Sequence, residues 1–245
     1  MNVILNGALG RMGRAVENRL SERDDMKLVA RIDALSDNQD VKKSISECKE
    51  KADVIIDFSH HTATAELLSY AVENNVPVVL CTTGHTDDEK RLIEEASKKI
   101  AVFRSANMSI GVAVLCDFAK KAAAMLPDAE IEIVERHHDQ KLDAPSGTAL
   151  MIAEEIKEAR SNAEFVCGRN GRKKREKNEI GIHALRLGNI VGEHEVVINT
   201  GLEQITLKHE AFDRSLFADG AIAAAAFLCG KEAGSYDMKS IVTKD

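Results

Sequence analysis

The first part of the chain alternates short apolar runs with segments of helical periodicity, and this alternation restricts the fold more than any other feature. Strands are predicted at residues 3–5, 28–32, 54–56, 76–81 and 101–103. Met12, Val16 and Leu20 have helical spacing between the first two of them. Thr86 and Glu89 form a capping-box pattern that predicts the start of another helix. Parallel strands joined by helical crossovers bury such runs on both faces. We therefore predict an α/β fold whose first domain is a Rossmann-type doubly wound parallel sheet, with ligands at the carboxyl ends of its strands.

Beyond Met108 the pattern changes to that of a second, α+β domain. Helices are predicted at 110–125 and 146–159, and strands at 130–134, 180–187, 195–200 and 204–210. The last three strands follow one another with glycine-containing turns, which suggests a mixed or antiparallel sheet. The alanine-rich segment 215–228 predicts a last helix that returns to cover the first sheet. We predict one domain from residues 1–108 and 215–245 and another from residues 109–214.

Composition and charge exclude several classes of protein. Apolar residues make up 44% and charged residues 30% of the chain, as in a folded globular protein. The formal net charge of -7 argues against nucleic-acid binding, and the basic run at 172–175 is interpreted as a solvated loop. The apolar segment 221–229 is far shorter than the ~20 residues of a membrane span. We predict a cytoplasmic protein with no nucleic-acid or membrane partner.

The cysteine and histidine spacings predict neither a disulfide framework nor a metal site. The five cysteines are odd in number and never form a C-x-x-C pair, which fits a reducing compartment. His60 and His61 are neighbours, so they do not share a helix face, and no third ligand with standard spacing accompanies them. We interpret both as turn or surface histidines and predict that the protein binds no metal.

A glycine-rich loop follows the first predicted strand. Gly7, Gly10 and Gly13 form a G-x-x-G-x-x-G pattern, in which glycines let backbone amides approach a pyrophosphate beside a helix N-terminus. Such a motif alone also fits a purely structural turn. Asp33 lies about 20 residues further on, at the end of the second strand, where a carboxylate can accept hydrogen bonds from an adenosine ribose. The combination predicts dinucleotide binding.

The residues around Asp33 favour NADH over NADPH. Its carboxylate repels a 2′-phosphate, and Ala34 stands where an NADP-preferring enzyme often has Arg. Arg11 and Arg31 are nearby cations, so use of both cofactors is left open. The polar segments 81–84 and 105–107 follow two further strands and fit either contacts to the nicotinamide or capped turns.

The densest group of reactive side chains lies in residues 135–148, between a predicted strand and a predicted helix. His137, His138 and Lys141 supply two imidazoles and an ammonium for proton transfer and carboxylate binding. The Ser-Gly-Thr at 146–148 starts a helix, whose first amides have no intrahelical acceptor and attract an anion. By itself the stretch also fits an ordinary polar loop.

This stretch resembles the signature of the 4-hydroxy-tetrahydrodipicolinate reductases, also called dihydrodipicolinate reductases, which is H-H-x-x-K-x-D-A-P-S-G-T-A. The match is unbroken over residues 137–149. Further matches are Gly-Arg-Met-Gly at 10–13, Thr-Thr-Gly at 82–84, Ala-Asn-Met-Ser at 106–109 and Ile-Val-Gly-Glu-His at 190–194. The resemblance thus extends over nearly the whole chain. Cys81 and Leu187 stand where many members have Gly.

The resemblance implies a set of site residues. His137 corresponds to the catalytic histidine and Lys141 to the proton donor. The implied substrate-binding positions are His138, Gly147 and Thr148. The implied cofactor-binding residues are Gly7, Ala8, Leu9, Gly10, Arg11, Met12, Asp33, Cys81, Thr82, Thr83, Ser105, Ala106, Asn107 and Met108.

The resemblance also implies a reaction. With NADH or NADPH, the family reduces a cyclic, unsaturated dicarboxylate formed from 4-hydroxy-tetrahydrodipicolinate and gives tetrahydrodipicolinate, on the route through diaminopimelate to lysine. Hydride addition at C4 pushes electrons toward the ring nitrogen, so a nearby acid must return a proton. Lys141, backed by His137, is implied for that role. A homotetramer formed through the second domain and closure of the two domains over the substrate are implied as well.

Two other functions fit the same fold. An amino-acid dehydrogenase on the same two-domain plan would share the glycine loop and Asp33, but it has no reason to carry the 137–148 stretch. A non-catalytic nicotinamide sensor would bind NADH without turnover, since a fold does not fix a function.

Overall fold

The computed structural model describes residues 1–243, and the chain divides into two compact units. Unit 1 comprises Met1–Ser109 and the segment that begins at Ser215, and unit 2 comprises Ile110–Arg214. Across the described part of the chain, no helix combines the length and apolar character that crossing a membrane requires.

The helices and strands follow one another in an order that separates the units. Unit 1 begins with β1 (Asn2–Asn6), α1 (Arg11–Ser21), β2 (Lys27–Ile32), β3 (Val54–Asp57), α2 (Thr64–Asn74), β4 (Val78–Leu80), α3 (Asp87–Ser97) and β5 (Ala101–Arg104). Unit 2 contains α4 (Ile110–Met125), β6 (Glu130–His137), α5 (Gly147–Ala159), β7 (Glu164–Cys167), β8 (Glu179–Arg186), β9 (Gly192–Asn199) and β10 (Gln204–Ala211). Unit 1 ends with α6 (Ser215–Leu228), β11 (Gly234–Tyr236) and α7 (Met238–Val242).

Unit 1 is built on a six-stranded sheet in the order β11-β5-β4-β3-β1-β2, in which every pairing is parallel. The predicted Rossmann-type fold is therefore confirmed. The chain leaves β1 toward β2 on one side and returns to β3 on the other, so the strand order reverses at β1. In such sheets ligands bind at this reversal, beyond the carboxyl ends of the strands.

The alanine-rich helix α6 packs against β3, β4 and β5, as the sequence predicted for the last long helix. Small side chains let a helix backbone approach its neighbours closely, and at Gly220 the approach leaves no room for a Cβ. A Cβ at residue 220 would lie 1.7 Å from the carbonyl oxygen of Met108. Only glycine fits there without a shift of the backbone.

Unit 2 is built on a five-stranded mixed sheet in the order β10-β9-β6-β8-β7. Strand β6 pairs parallel with β8 and antiparallel with β9. The helices α4 and α5 pack against each other, and apolar residues of both join the core of this unit. The predicted mixed sheet is confirmed, although β8 and β9 are separated by β6.

Several predicted boundaries are wrong, for reasons of tertiary pairing. Strand β6 continues to His137, beyond its predicted end at residue 134, because β8 and β9 pair with it along both edges. Residues 135–137 therefore belong to a strand and not to a loop. The edge strands β7 and β11 were not predicted, since short edge strands carry little alternation. The 172–175 run is not wholly solvated, because Arg175 donates hydrogen bonds to the carbonyl oxygens of Glu179 and Ile131.

The predicted capping box at the start of α3 is confirmed. Thr86 Oγ1 accepts a hydrogen bond from the Glu89 amide at 3.3 Å, and the Glu89 carboxylate accepts one from the Thr86 amide at 2.7 Å. Thr86→Ala is expected to lower the free energy of unfolding by about 1 kcal/mol. Urea denaturation measures this, and Thr86→Ser, which keeps the hydroxyl, is the matched control. Equal losses in both variants would contradict the assignment to the cap.

Candidate active site

The glycine loop of unit 1 combines two glycines required by packing with one that is not. Gly7 has a φ of +80°, and a Cβ there would lie 2.5 Å from the Phe58 carbonyl oxygen. A Cβ at Gly13 would lie 2.1 Å from the Gly7 carbonyl oxygen. Gly10, the N-cap of α1, is exposed, and its nearest atom would be 3.4 Å away. The fold explains Gly7 and Gly13, whereas Gly10 keeps an open approach to the start of α1.

Asp33 holds this loop in place. Its Oδ2 accepts a hydrogen bond from the Leu9 amide at 2.9 Å, and its Oδ1 accepts one from the Leu35 amide at 3.0 Å. The carboxylate lines a cavity of about 310 Å³ at the ends of β1, β2 and β3, together with Gly10 and Lys43. A dinucleotide's adenosine end needs such a cavity, with a carboxylate at its wall, so these residues fit the predicted cofactor.

Two cations near this cavity differ in what they contact. Arg31, which the sequence analysis named as a nearby cation, donates a hydrogen bond from Nε to Glu17 Oε1 at 2.7 Å. Lys43 was missed; it lines the cavity itself, and its exposed ammonium lies 3.7 Å from Asp37 Oδ1. Lys43 is therefore the better placed of the two to meet a phosphate in the cavity.

Asp57, at the end of β3, ties three of the sheet's carboxyl-end segments together. It is 1% exposed and accepts hydrogen bonds from Asn6 Nδ2 at 2.9 Å, Ser59 Oγ at 2.6 Å and Thr82 Oγ1 at 2.7 Å. Burial raises the pKa of Asp57. Asp57 was not among the predicted site residues, although its place at the end of an apolar strand marks a buried polar group. Through Thr82 it positions the predicted 81–83 segment.

The remaining predicted cofactor residues follow β4 and β5. Burial raises the pKa of the Cys81 thiol, which is therefore protonated at neutral pH. Ser105 Oγ donates to the Asn107 carbonyl oxygen at 2.8 Å, and Asn107 Oδ1 accepts from the Ser109 amide at 2.8 Å. The 105–107 segment thus has the form of a capped turn at the carboxyl edge of the sheet. All the predicted cofactor residues follow the carboxyl end of β1, β2, β4 or β5.

In unit 2, a buried pair of side chains stands at the end of β6. Glu135 and His137 are two residues apart on one strand and so share its inner face, and they are 0% and 8% exposed. His137 Nδ1 lies 2.6 Å from Glu135 Oε2. The inward residues of β6 are Ile131, Ile133, Glu135 and His137. A Glu in that inward series is the sequence signal for a paired carboxylate, although Glu135 was not among the predicted site residues.

The Glu135 carboxylate accepts hydrogen bonds from three elements. Arg186 of β8 donates from Nη1 to Oε2 at 2.8 Å and from Nη2 to Oε1 at 2.7 Å. The amide of Ser146, which caps α5, donates to Oε1 at 3.0 Å. Burial acts to raise the pKa of Glu135, but the hydrogen bonds from Arg186, His137 and Ser146 outweigh it, and the pKa is lowered. The carboxylate is ionised at neutral pH.

Lys141 and the start of α5 stand close by in the sequence and are more accessible. The Lys141 side chain is 21% exposed, and Nζ donates to Asp143 Oδ1 at 2.8 Å. His138 is half-buried, and its amide donates to the Ile190 carbonyl oxygen at 2.8 Å. Gly147 begins α5 and is exposed; among the described residues, nothing lies within 4 Å of where its Cβ would be. The helix N-terminus is therefore open to an anion at Gly147.

His194 of β9 is a second buried imidazole, which the sequence analysis did not single out. Its Nε2 lies 3.0 Å from Ser146 Oγ, and its ring centroid lies 5.2 Å from that of His137 in an edge-on arrangement. Burial lowers the pKa of His194 to about 3, so this ring is neutral. Ser146 Oγ also accepts from the Ala149 amide at 3.1 Å. The hydroxyl therefore links β9 to the first turn of α5.

The adjacent histidines of unit 1 do not form a metal cluster. Within residues 1–243, no group of three or more His, Cys, Asp or Glu is arranged to hold a metal ion. His61 Nδ1 instead lies 2.9 Å from Glu89 Oε1, and His60 caps the short 3-10 turn His61–Ala63.

These features define the class of protein. A doubly wound sheet with an open glycine loop, together with a second unit that carries an ammonium, a carboxylate-bound imidazole and an open helix N-terminus, has the make-up of a two-domain, dinucleotide-dependent oxidoreductase.

Comparison with known proteins identifies the family. The profile described as "Dihydrodipicolinate reductase, N-terminus" matches residues 1–108, and that described as "Dihydrodipicolinate reductase, C-terminus" matches residues 111–242. The 4-hydroxy-tetrahydrodipicolinate reductase of Clostridium novyi is 46% identical over 98% of this chain and 97% of its own. That of Caldanaerobacter subterraneus is 45% identical over 100% and 99%. The chain belongs to the dihydrodipicolinate reductase family, whose members are oxidoreductases that use a nicotinamide cofactor.

A solved structure agrees with this assignment. The dipicolinate-bound dihydrodipicolinate reductase from Paenisporosarcina sp. TG-14 superimposes with a TM-score of 0.83 at 27% identity, covering 98% of this chain and 99% of the other. The resemblance and the α/β fold class inferred from the sequence are both confirmed.

Proposed function

We propose that this chain converts 4-hydroxy-tetrahydrodipicolinate to tetrahydrodipicolinate with NADH or NADPH, on the diaminopimelate route to lysine: the 4-hydroxyl leaves as water, and the unsaturated dicarboxylate that results is reduced. The observation that carries the proposal is the group of residues between the end of β6 and the start of α5. It comprises Lys141, the buried pair Glu135–His137 and the open helix start at Gly147. Relatives at 45–46% identity carry that reductase name, and the Paenisporosarcina relative binds dipicolinate, a flat dicarboxylate. An amino-acid dehydrogenase or a sensor would not need these groups.

The two units divide the work in this proposal. Residues 1–108 and 215–245 bind the dinucleotide, with Gly7, Ala8, Leu9, Gly10, Arg11, Met12, Asp33, Cys81, Thr82, Thr83, Ser105, Ala106, Asn107 and Met108 as the contacts. Residues 109–214 bind the substrate and assemble four copies into a cytoplasmic homotetramer. The open approach at Gly10 and the cavity beside Asp33 support the first part.

The groups in unit 2 suit a dianionic substrate that must gain a proton. His138 and the amides of Gly147 and Thr148 bind its carboxylates, since a helix N-terminus stabilises negative charge. When bound, the reduced nicotinamide supplies the hydride. Lys141 then donates a proton to the ring nitrogen, and its ammonium stabilises the negative charge that develops there. His137 serves as the second catalytic group.

The direct test follows nicotinamide absorbance while the native protein receives NADH or NADPH and the freshly made condensation product of pyruvate and aspartate-semialdehyde. We expect oxidation that requires the condensation product. NADH binding without oxidation would favour the sensor, and NAD⁺ reduction with an amino acid would favour the dehydrogenase. Light scattering on the same sample tests the tetramer.

Charges at the adenosine cavity are expected to set the cofactor preference. Asp33→Asn should raise the NADPH-to-NADH ratio of kcat/KM about 10-fold, which is about 1.4 kcal/mol, because the neutral amide no longer repels a 2′-phosphate. Lys43→Ala should lower the same ratio, because Lys43 lines that cavity. Steady-state kinetics with both cofactors measure each ratio. Equal losses with both cofactors in Asp33→Asn would mean that Asp33 serves only to hold the Leu9 and Leu35 amides.

A further inference from the structure

We propose that Glu135 is a positioning residue that holds His137 in the tautomer with hydrogen on Nδ1, so that Nε2 is a hydrogen-bond acceptor and, of the pair His137 and Lys141, only Lys141 can donate a proton. The tautomer follows from the contacts of Glu135, and its catalytic meaning rests on the function proposed above.

Nδ1 of His137 faces an ionised carboxylate. An ionised carboxylate can only accept hydrogen bonds, and Glu135 is held ionised by its partners. Its Oε2 lies 2.6 Å from His137 Nδ1. Nδ1 must therefore carry hydrogen and donate it. In a neutral imidazole one nitrogen donates and the other accepts, which leaves Nε2 with a lone pair.

The charge of His137 depends on its burial and on the ionic groups around it. Burial lowers its pKa, and the cations Lys141 and Arg186 act in the same direction, while Glu135 acts against them. His194, the remaining titratable group that faces this ring, is itself neutral. The net direction is downward, so His137 is neutral at pH 7 and has no proton to give through Nε2.

A side chain at residue 192 would crowd Nε2 of His137. A Cβ there would lie 3.0 Å from this nitrogen. Glycine at this position therefore keeps a side chain off the ring nitrogen. An accepting Nε2 can take a hydrogen bond from an ammonium or a water, whereas Lys141 offers three N–H donors and no acceptor. The two side chains are complementary and not redundant.

Glu135 also fixes the start of α5. The oxygen that does not face His137 accepts from the Ser146 amide and from Arg186 Nη2. Each carboxylate oxygen thus receives two hydrogen bonds. One side chain sets both the imidazole tautomer and the position of the helix start that we propose for the substrate.

Glu135→Gln gives a specific expectation because an amide has one accepting and one donating end. When the amide oxygen faces Ser146, it still accepts hydrogen bonds from the Ser146 amide and from Arg186 Nη2. The amide NH2 group then donates to His137 Nδ1 and is opposed by only one N–H group of Arg186. The opposite orientation would place the NH2 group against two donors, the Ser146 amide and Arg186 Nη2. The first orientation is favoured, and it moves the hydrogen of His137 to Nε2.

The test is the ¹⁵N spectrum of the native protein with ¹⁵N-labelled histidine rings, which distinguishes protonated from bare ring nitrogens; a His137→Gln variant identifies the His137 signals. We expect Nδ1–H in the native protein at pH 7, Nε2–H in Glu135→Gln, and a 10- to 100-fold lower kcat in that variant, as for other residues that orient an active group. Glu132→Gln is the matched control. Glu132 lies on the opposite face of β6, where its Oε2 is 2.8 Å from His183 Nε2. This variant should therefore leave the tautomer of His137 unchanged.

A native His137 that is Nε2–H, or protonated on both nitrogens at pH 7, would overturn the proposal, as would an unchanged tautomer in folded Glu135→Gln. If Glu135→Gln does not fold, because it leaves Arg186 short of its counter-charge, the native spectrum alone decides. A native protein that lacks reductase activity overturns the proposed function, and the tautomer measurement still decides the role of Glu135.

Discussion

Replacing Lys141 with alanine is expected to lower kcat of the proposed reductase by about 100-fold or more, the effect of a positioned general acid. Of the pair His137 and Lys141, only this ammonium can donate a proton if His137 is a neutral acceptor. Stability should change by less than about 1 kcal/mol, because Lys141 is partly exposed and its partner Asp143 is 58% exposed. The measurements are kcat at saturating cofactor and urea denaturation.

A second lysine of unit 2 provides the control. Lys121 forms an ion pair with Asp117 at 2.7 Å, and its side chain is 63% exposed. Lys121→Ala should keep kcat and lose as little stability as Lys141→Ala. A Lys141→Ala protein that turns over within a few-fold of the native rate is not compatible with Lys141 as the donor.

Two glycine substitutions in the cofactor loop should have different consequences. Gly13→Ala is expected to destabilise the protein by about 2 kcal/mol or more, since its Cβ would lie 2.1 Å from the Gly7 carbonyl oxygen and 2.7 Å from that of Ala8. These are backbone atoms, which cannot rotate away. The loop would have to move, and NADH binding should be lost as well. Thermal unfolding and a fluorescence titration with NADH measure the two effects.

Gly10→Ala separates cofactor binding from folding. Its backbone, at φ -67°, accepts a side chain, and the nearest atom to its Cβ would be 3.4 Å away. Stability should stay near that of the native protein while the Kd for NADH rises about 10-fold or more, because the Cβ stands where backbone amides approach a pyrophosphate. Native-like affinity in Gly10→Ala would mean that the loop does not bind the dinucleotide, and native stability in Gly13→Ala would contradict the steric argument.

The sequence by itself determined the architecture of unit 1 and pointed to the family and to the stretch that we propose for the chemistry. Helices α4 and α6 were predicted to the residue because long periodic segments carry a strong local signal. The capping box at Thr86 was predicted for the same reason, since both partners lie within one turn. The signature at 137–149 pointed to the family that comparison confirmed.

Only the tertiary structure decided how the site is held. Glu135 meets Arg186 across 51 positions of the chain, and Asp57 meets Asn6 across the same number. Such pairs leave no periodicity in the sequence, because the sheet and not the local backbone brings them together. The same cause extended β6 to His137: its last residues gain ladder hydrogen bonds from strands that come later in the chain. Local patterns encode elements and motifs, whereas the state of the His137 imidazole depends on carboxylate contacts that exist only in the folded sheet.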